Sequence, residues 1–358
     1  MKCLLIMAGG TGGHVFPALA VANCLKEQDV KIVWLGTQKG IESRLVPEAG
    51  YEIEWITVQG LRGNGWRRWL VAPFTLTRAL WQALMVMRRV KPDCVLGMGG
   101  FASGPGGLAA YLLRKPLLIH EQNAVAGMTN QWLARFAKSI LTGFRQTEGL
   151  PKDAVWVGNP VRRAISREID PENIQTYTSK RILVLGGSQG ARSLNKGIPK
   201  VLRALAKKMT LEVVHQAGKD NAAEVQKRYD RSEDFLSAKA TGFINDMAKA
   251  YHWADIVICR AGAMTVTEIM AAGKPAVFVP YPFAAGDHQT KNAQAMLDAN
   301  AAIMVTDEQI TDKEFVQQLA KLLRDPKLIV SMGLNAQRLY RPSATQQVAE
   351  YCRENMHA

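Results

Sequence analysis

The stretch that most constrains this chain is Met7-Ala8-Gly9-Gly10-Thr11-Gly12-Gly13-His14-Val15-Phe16-Pro17-Ala18. The run before it, Cys3–Met7, is short and apolar, as a buried parallel strand requires. After it Val15, Leu19, Ala22 and Leu25 recur at helical spacing, with Pro17 near the expected helix start, where a missing N–H does no harm. The segment reads as strand, glycine turn, helix. Such a turn aims bare N–H groups and the positive end of a helix dipole at an anion, usually phosphate. It is not the dinucleotide fingerprint, because the third glycine would fall on Val15 and no acidic residue closes the strand ending Val33–Thr37. Nor is it a P-loop, which needs Gly-Lys-Ser/Thr where this chain has Gly12-Gly13-His14. A histidine on the first helical turn faces the crevice, and two readings stand, a structural cap or a reactive group.

A chain of 358 residues suits two domains better than one core. Lys+Arg 45 against Asp+Glu 31 gives +14, which calls for an anionic partner: nucleic acid, an anionic membrane surface or phosphorylated substrates. Cys3, Cys24, Cys94, Cys259 and Cys352 are odd in number, far apart and without a Cys-x-x-Cys pair. They look like small buried hydrophobes of a reducing compartment and argue against a metal site. Gly9-Gly10 cuts the opening apolar run too early for a signal peptide, and no run approaches the ~18–20 apolar residues of a membrane span. The expectation is a cytoplasmic protein, soluble or peripheral.

Strands are expected at Leu4–Ala8, Lys31–Leu35, Glu52–Ile56, Cys94–Met98, Leu117–His120 and Ser139–Leu141, with helices between them. That alternation predicts a parallel sheet covered on both faces. Glycine turns recur at Gly97–Gly107, and His120-Glu121-Gln122-Asn123 stands at a strand exit, where ligand-facing side chains of open α/β sheets belong. Near Gly158-Asn159-Pro160-Val161-Arg162 the pattern pauses. It then restarts with Arg181–Leu185 and Gly186-Gly187-Ser188-Gln189-Gly190, again strand, double glycine, polar residue, glycine. Further strands are expected at Leu211–Gln216, Ile256–Cys259, Ala276–Val279 and Ala302–Val305. The domains divide as 1–160 and 161–340, and a last helix within 341–358 could pack on either, the N-terminal one included.

Two clusters of the second half carry chemistry. Cys259-Arg260-Ala261-Gly262-Ala263-Met264-Thr265-Val266-Thr267-Glu268 is strand, turn and helix. The helix start there addresses a diphosphate, and Glu268 can accept from both hydroxyls of a ribose; an ordinary dipole-stabilising acid is the alternative. In the loop Pro280–Gln289, Gln289 with nearby Asn292 could read sugar hydroxyls. In the first half, Phe74–Val90 has apolar positions over well more than half the helical circumference, set among Arg78, Arg88 and Arg89 and preceded by Trp66 and Trp69. Trp81, Leu84 and these arginines suit an anionic bilayer surface; burial on two sides is the alternative.

Gly9–His14, Gly99-Gly100-Phe101-Ala102-Ser103-Gly104-Pro105, His120–Asn123, Gly158–Arg162, Gly186–Gly190 and Asp287-His288-Gln289 stand in this order. Together they closely resemble the bacterial undecaprenyldiphospho-muramoylpentapeptide β-N-acetylglucosaminyltransferases over nearly the whole chain. The resemblance implies an α/β GT-B fold, two Rossmann-like parallel-sheet domains facing across a cleft. It implies transfer of GlcNAc, with inversion, from UDP-GlcNAc to the muramoyl sugar of lipid I, giving lipid II for peptidoglycan. UDP-GlcNAc contacts would fall on Thr11, Gly12, Gly13, Asn123, Arg162, Ser188, Ile244, Ala263, Met264, Thr265, Val266, Thr267, Glu268 and Gln289. Gly10, His14, Gly100, Ser103 and Gly104 would face the acceptor diphosphate. The resemblance also implies a peripheral place on the cytoplasmic face of the inner membrane, no nucleic acid, and room for partners among cell-wall synthesis and division proteins. Inversion needs one base, and His14 is the best placed. Helix N-termini and Arg162 can meet the leaving diphosphate without a metal, and no organic cofactor is called for. The alternatives are another UDP-sugar GT-B enzyme, such as a UDP-GlcNAc 2-epimerase, and a basic nucleic-acid-binding protein.

Overall fold

The computed structural model describes residues 1–58, 66–168, 179–187, 189–230 and 235–356, with side chains in the helix opened by Trp66 described from Pro73 onward. Contacts divide the chain into two compact units, Met1–Arg162 with Arg341–Ala358, and Arg163–Tyr340. Among the described residues each unit holds one parallel sheet.

In the first unit the strands are β1 (Cys3–Ala8), β2 (Lys31–Gly36), β3 (Glu52–Trp55), β4 (Cys94–Gly99), β5 (Leu117–Glu121), β6 (Ser139–Thr142) and β7 (Val155–Trp156), in spatial order β3-β2-β1-β4-β5-β6-β7. Every residue of β1, β4 and β5 is buried, as strands covered on both faces must be. Helices α1 (Gly12–Lys26), α2 (Glu42–Glu48), α3 (Trp66–Val90), α4 (Ser103–Leu112) and α5 (Met128–Leu133) provide the cover. Two apolar clusters sandwich the sheet, one under α1 and one under α3 and α4. The order of strands reverses between β1 and β4, so the crevice for a ligand lies at their C-terminal ends.

The second unit repeats the plan. Its strands β8 (Lys180–Leu185), β9 (Leu211–Gln216), β10 (Leu236–Thr241), β11 (Ile256–Cys259), β12 (Ala276–Phe278) and β13 (Ala302–Met304) lie in the order β10-β9-β8-β11-β12-β13. The helices are α6 (Arg192–Ala206), α7 (Ala222–Tyr229), α8 (Met247–Trp253), α9 (Ala263–Ala272), α10 (His288–Asp298), α11 (Lys313–Arg324) and α12 (Pro326–Leu339). The reversal here is between β8 and β11. A last helix, α13 (Ala344–Asn355), returns to the first unit, where Val348, Ala349, Cys352 and Met356 join the cluster under α1.

Two strands escape the sequence pattern. β7 has only two residues, and β10 is a half-exposed edge strand of small and polar residues, Leu-Ser-Ala-Lys-Ala-Thr. The first helix carries His14 in its opening turn as expected, but Pro17 falls deeper than the start. α1 opens at Gly12, so Pro17 lies inside it and withholds an N–H from the Gly13 carbonyl.

Candidate functional site

The two glycine turns of the first unit meet at the exits of β1 and β4. Gly99 and Gly100 have φ of +100° and +92°, which only glycine adopts without strain. A Cβ on Gly100 would run into the Gly9 backbone, and one on Gly99 would stand 2.8 Å from the His14 ring. The β4 turn is thus bare because the β1 turn and the imidazole lie against it.

What orients that imidazole comes from β5. His14 Nδ1 lies 2.8 Å from Gln122 Oε1. The Gln122 amide nitrogen is 3.1 Å from His120 Nδ1 and 3.2 Å from the His120 carbonyl. A carbonyl only accepts, so that end of the amide is the NH2 and the other end the oxygen. His120 Nδ1 therefore accepts, and its Nε2–H donates to the Gly158 carbonyl at 2.9 Å. Burial lowers the His120 pKa to about 4, outweighing the Gly158 bond and the Glu121 charge, so the ring is neutral near pH 7. The chain of donors fixes Nδ1–H of His14 on Gln122, so that the neutral form of the ring carries its lone pair on Nε2.

Within the same His120–Asn123 motif Glu121 works inward, while Asn123 is half-buried. Glu121 is buried, and its carboxylate accepts from Asn123 N and Nδ2 at 3.0 and 3.1 Å, Gly127 N at 3.0 Å and Asn130 Nδ2 at 2.8 Å. Asn159 Nδ2 donates to the Gln122 carbonyl at 3.0 Å. The Gly158–Arg162 motif therefore secures the β5 exit at two points, His120 and Gln122. Its last residue, Arg162, stacks 5.3 Å from the centre of the Phe16 ring on α1.

The other expected contacts of the first unit, Thr11, Gly12 and Gly13 for UDP-GlcNAc and Gly10, Ser103 and Gly104 for the acceptor diphosphate, differ in what they offer. Thr11 is exposed, and its carbonyl accepts from His14 N and Val15 N. Gly12 and Gly13 form the first residues of α1. Gly10 N–H donates to Glu42 Oε2 at 2.9 Å, so that amide is already engaged. Ser103, expected at a diphosphate, is fully buried with its hydroxyl 3.1 Å from the Met7 carbonyl and 2.9 Å from the Gly99 carbonyl. It ties the β1 and β4 ends together instead. Gly104 follows it in the first turn of α4.

In the second unit Ala263, Met264, Thr265, Val266 and Thr267 form the opening of α9, with Met264 and Thr265 half-exposed. Glu268 is buried, and Tyr251 Oη donates to its Oε2 at 3.1 Å. Gln289 Oε1 accepts from Tyr281 N at 2.9 Å and so closes the loop after β12. Ile244 is half-buried in the loop after β10. Asn292, considered for sugar hydroxyls, is instead fully buried, with Nδ2 donating to the Ala261 carbonyl. Ser188 lies outside the described residues.

Sequence reasoning missed Arg260. Its guanidinium donates to the Val279 and Pro280 carbonyls at 2.9 and 3.0 Å, to Asp307 at 2.6 and 3.2 Å, and to Ser193 Oγ at 2.8 Å. One side chain thereby fixes the exits of β11, β12 and β13 against the start of α6. The available signal was a cation placed directly after an apolar strand.

On α3, Ala79, Ala83, Val86 and Met87 are buried, and Leu80, Leu84 and Val90 pack against them from the flanks. Leu84 thus belongs more to the core than to a surface. Phe74, Leu76, Trp81 and Met85 are exposed, at 72%, 41%, 61% and 46%, alongside exposed Arg78 and Arg88. Arg89 pairs with Glu54. The side chains of Trp66 and Trp69 lie outside the described residues. No helix among the described residues is long and apolar enough to cross a membrane, and no group of three His, Cys, Asp or Glu that could hold a metal occurs among them.

Comparison with known proteins adds four findings. Residues 4–142 match the glycosyltransferase family 28 N-terminal domain and residues 181–348 its C-terminal domain. A protein of Alkalilimnicola ehrlichii named UDP-N-acetylglucosamine–N-acetylmuramyl-(pentapeptide) pyrophosphoryl-undecaprenol N-acetylglucosamine transferase is 49% identical over 98% of both chains. The crystal structure of Acinetobacter baumannii MurG superposes with a TM-score of 0.84 at 40% identity, covering 99% of this chain and 100% of that one. A UDP-GlcNAc 2-epimerase from Neisseria meningitidis bound to UDP-GlcNAc covers 99% of this chain and 100% of its own at a TM-score of 0.68, but at 12% identity it shares the fold alone.

Proposed function

This chain belongs to glycosyltransferase family 28, and from that premise we propose that it moves GlcNAc from UDP-GlcNAc to the N-acetylmuramyl sugar of undecaprenyl-pyrophosphoryl-MurNAc-pentapeptide. The observation that carries this reading is the 49% identity to a transferase of that name, sustained over 98% of both chains. Two Rossmann-like parallel-sheet domains of the GT-B class are the scaffold. The product would be lipid II, the disaccharide precursor of peptidoglycan.

His14 is the base in this reading. Its Nε2 takes the proton of the acceptor hydroxyl as that oxygen bonds to the anomeric carbon. The bond from that carbon to the diphosphate breaks on the opposite face, and UDP departs with the electron pair, which inverts the centre. The Gln122–His120–Gly158 chain supports this role because it holds the lone pair outward without adding charge. For the donor, Glu268 would hold the ribose hydroxyls and Gln289 the GlcNAc hydroxyls, with the start of α9 toward the diphosphate. Arg162 adds the positive charge that the departing diphosphate needs.

The acceptor brings its own location. A chain without a spanning helix among its described residues must meet a lipid-linked sugar at the bilayer surface. The exposed Phe74, Leu76, Trp81 and Met85 with Arg78 and Arg88 are suited to that contact, on the cytoplasmic leaflet. The deciding experiment follows labelled GlcNAc from UDP-GlcNAc to a short-chain lipid I analogue. Label in a lipid-linked disaccharide supports the reading; epimerised sugar nucleotide formed without acceptor overturns it.

A further inference from the structure

A carboxylate with no ion-pair partner among the described residues is sealed behind the first glycine turn. Glu42, the first residue of α2, has 0% exposure. Its Oε1 accepts from Thr37 N at 3.1 Å and Thr37 Oγ1 at 2.7 Å, and its Oε2 accepts from Gly10 N at 2.9 Å. Three neutral donors thus face the two oxygens of a buried acid, an arrangement that is costly to break from either side.

The glycines around it are shaped by this side chain. A Cβ on Gly9 would stand 2.5 Å from Glu42 Oε1, one on Gly36 2.9 Å from its Cγ, and one on Gly40 would overlap the carboxylate. Gly9 and Gly40 are therefore bare for Glu42, not for a ligand. From the strand side, Trp34 Nε1 donates to the Ala8 carbonyl at 2.8 Å, immediately before the turn. The exit of β1 is thus fixed at Ala8 by an indole of the neighbouring β2 and at Gly10 by the carboxylate that opens α2. Beyond Gly10 the backbone passes through Thr11 into the first turn of α1, where His14 stands.

We infer that Glu42 is a positioning residue for the transfer reaction, clamping the β1 turn to the β2–α2 loop so that His14 is presented in register with Gln122. The inference rests on His14 serving as the base. It assigns Gly10 N–H to the protein's own carboxylate and leaves the diphosphate to the residues that follow.

Glu42→Gln tests it. The amide keeps the size but offers one accepting atom where the carboxylate offers two, so its NH2 must face either Gly10 N–H or the Thr37 donors. Expected is a fall in kcat of about tenfold or more, with UDP affinity and the KM for UDP-GlcNAc within about twofold of the parent. In a His14→Ala background the same change should cost nothing further, because the group it positions is gone. Thr37→Val, which spares the Gly10 bond, should lower kcat by about threefold, again only when His14 is present. The inference is overturned if folded Glu42→Gln keeps the parental kcat, or if its loss multiplies in full onto that of His14→Ala. Should Glu42→Gln fail to fold, Thr37→Val decides alone, and failure of both to fold makes Glu42 a core residue only. If His14→Ala by itself keeps the rate within tenfold, the base assignment falls, and the kcat of Glu42→Gln at unchanged UDP binding still decides whether the turn is held for catalysis.

Discussion

His14 Nδ1 and Gln122 Oε1 stand 2.8 Å apart although 108 positions separate them in the chain. The bond exists because β1 and β5 flank β4, which brings the α1 start and the β5 exit to one end of the sheet. It gives Gln122 a task that its neighbour Glu121, turned inward to Asn123, Gly127 and Asn130, does not share.

Gln122→Leu keeps the bulk and removes the acceptor. His14 is then free to rotate and to change tautomer, so kcat should fall by about 10- to 100-fold while the KM for UDP-GlcNAc stays close to the parent. Steady-state kinetics with a soluble acceptor analogue measure both; an unchanged kcat removes Gln122 from the machinery.

Donor recognition should be separable from this. Glu268→Ala should raise the KM for UDP-GlcNAc at least about tenfold and leave the acceptor KM nearly alone, since a ribose held by a carboxylate loses charge-assisted bonds. Tyr251→Phe, which removes only the hydroxyl that donates to Glu268, should have a smaller effect of the same kind. A donor KM unmoved by Glu268→Ala would place the ribose elsewhere.

Acid should destabilise both units. Burial lowers His120 to about 4 and His215 to about 3, the latter bonded to Tyr229 Oη and Asn195 Oδ1. Both folded values lie below the ordinary ~6.5, so the unfolded chain takes up protons first as pH falls. Stability is then complete above about pH 6.5 and lost progressively toward pH 4 and pH 3, each histidine contributing about 1.4 kcal/mol per pH unit within its window. Urea midpoints at pH 7.5 and 5.0 check the sign: a lower midpoint at pH 5.0 is expected, and an equal or higher one contradicts it.

The surface of α3 gives a fourth test. Phe74→Ser with Trp81→Ser, and separately Arg78→Gln with Arg88→Gln, should each weaken binding to vesicles containing anionic phospholipid, the arginine pair losing about 1 kcal/mol per charge at low salt. Transfer to a water-soluble acceptor should be largely spared. These positions are chosen over Leu84 because their side chains are exposed. Vesicle binding equal to the parent in both variants would send the contact elsewhere.

Much of this was legible in the sequence. Glycine punctuation after short apolar runs marked β1, β4, β8 and β11, and the repeated strand–turn–helix opening announced two similar sheets. Local pattern has less to say about edges, so β7 and β10 were lost. It also cannot tell which face of a polar motif points inward. Ser103 and Asn292 read as ligand contacts and are buried, while the pattern assigns no role to Glu42 or Arg260. Each of the latter two gains its role from partners on separate elements, Glu42 from Gly10 and Arg260 from Val279, Asp307 and Ser193, and such partners meet only once the sheet order is set.

The most direct measurement is the single-turnover rate of GlcNAc transfer from UDP-GlcNAc to a soluble lipid I analogue, for the parent and for His14→Ala, with UDP affinity measured on both. A base lost from a folded, donor-competent enzyme should lower the rate by ~10²–10⁴ at unchanged UDP affinity. A loss of tenfold or less, with UDP still bound, would show that another group takes the proton and that His14 does not act as the base.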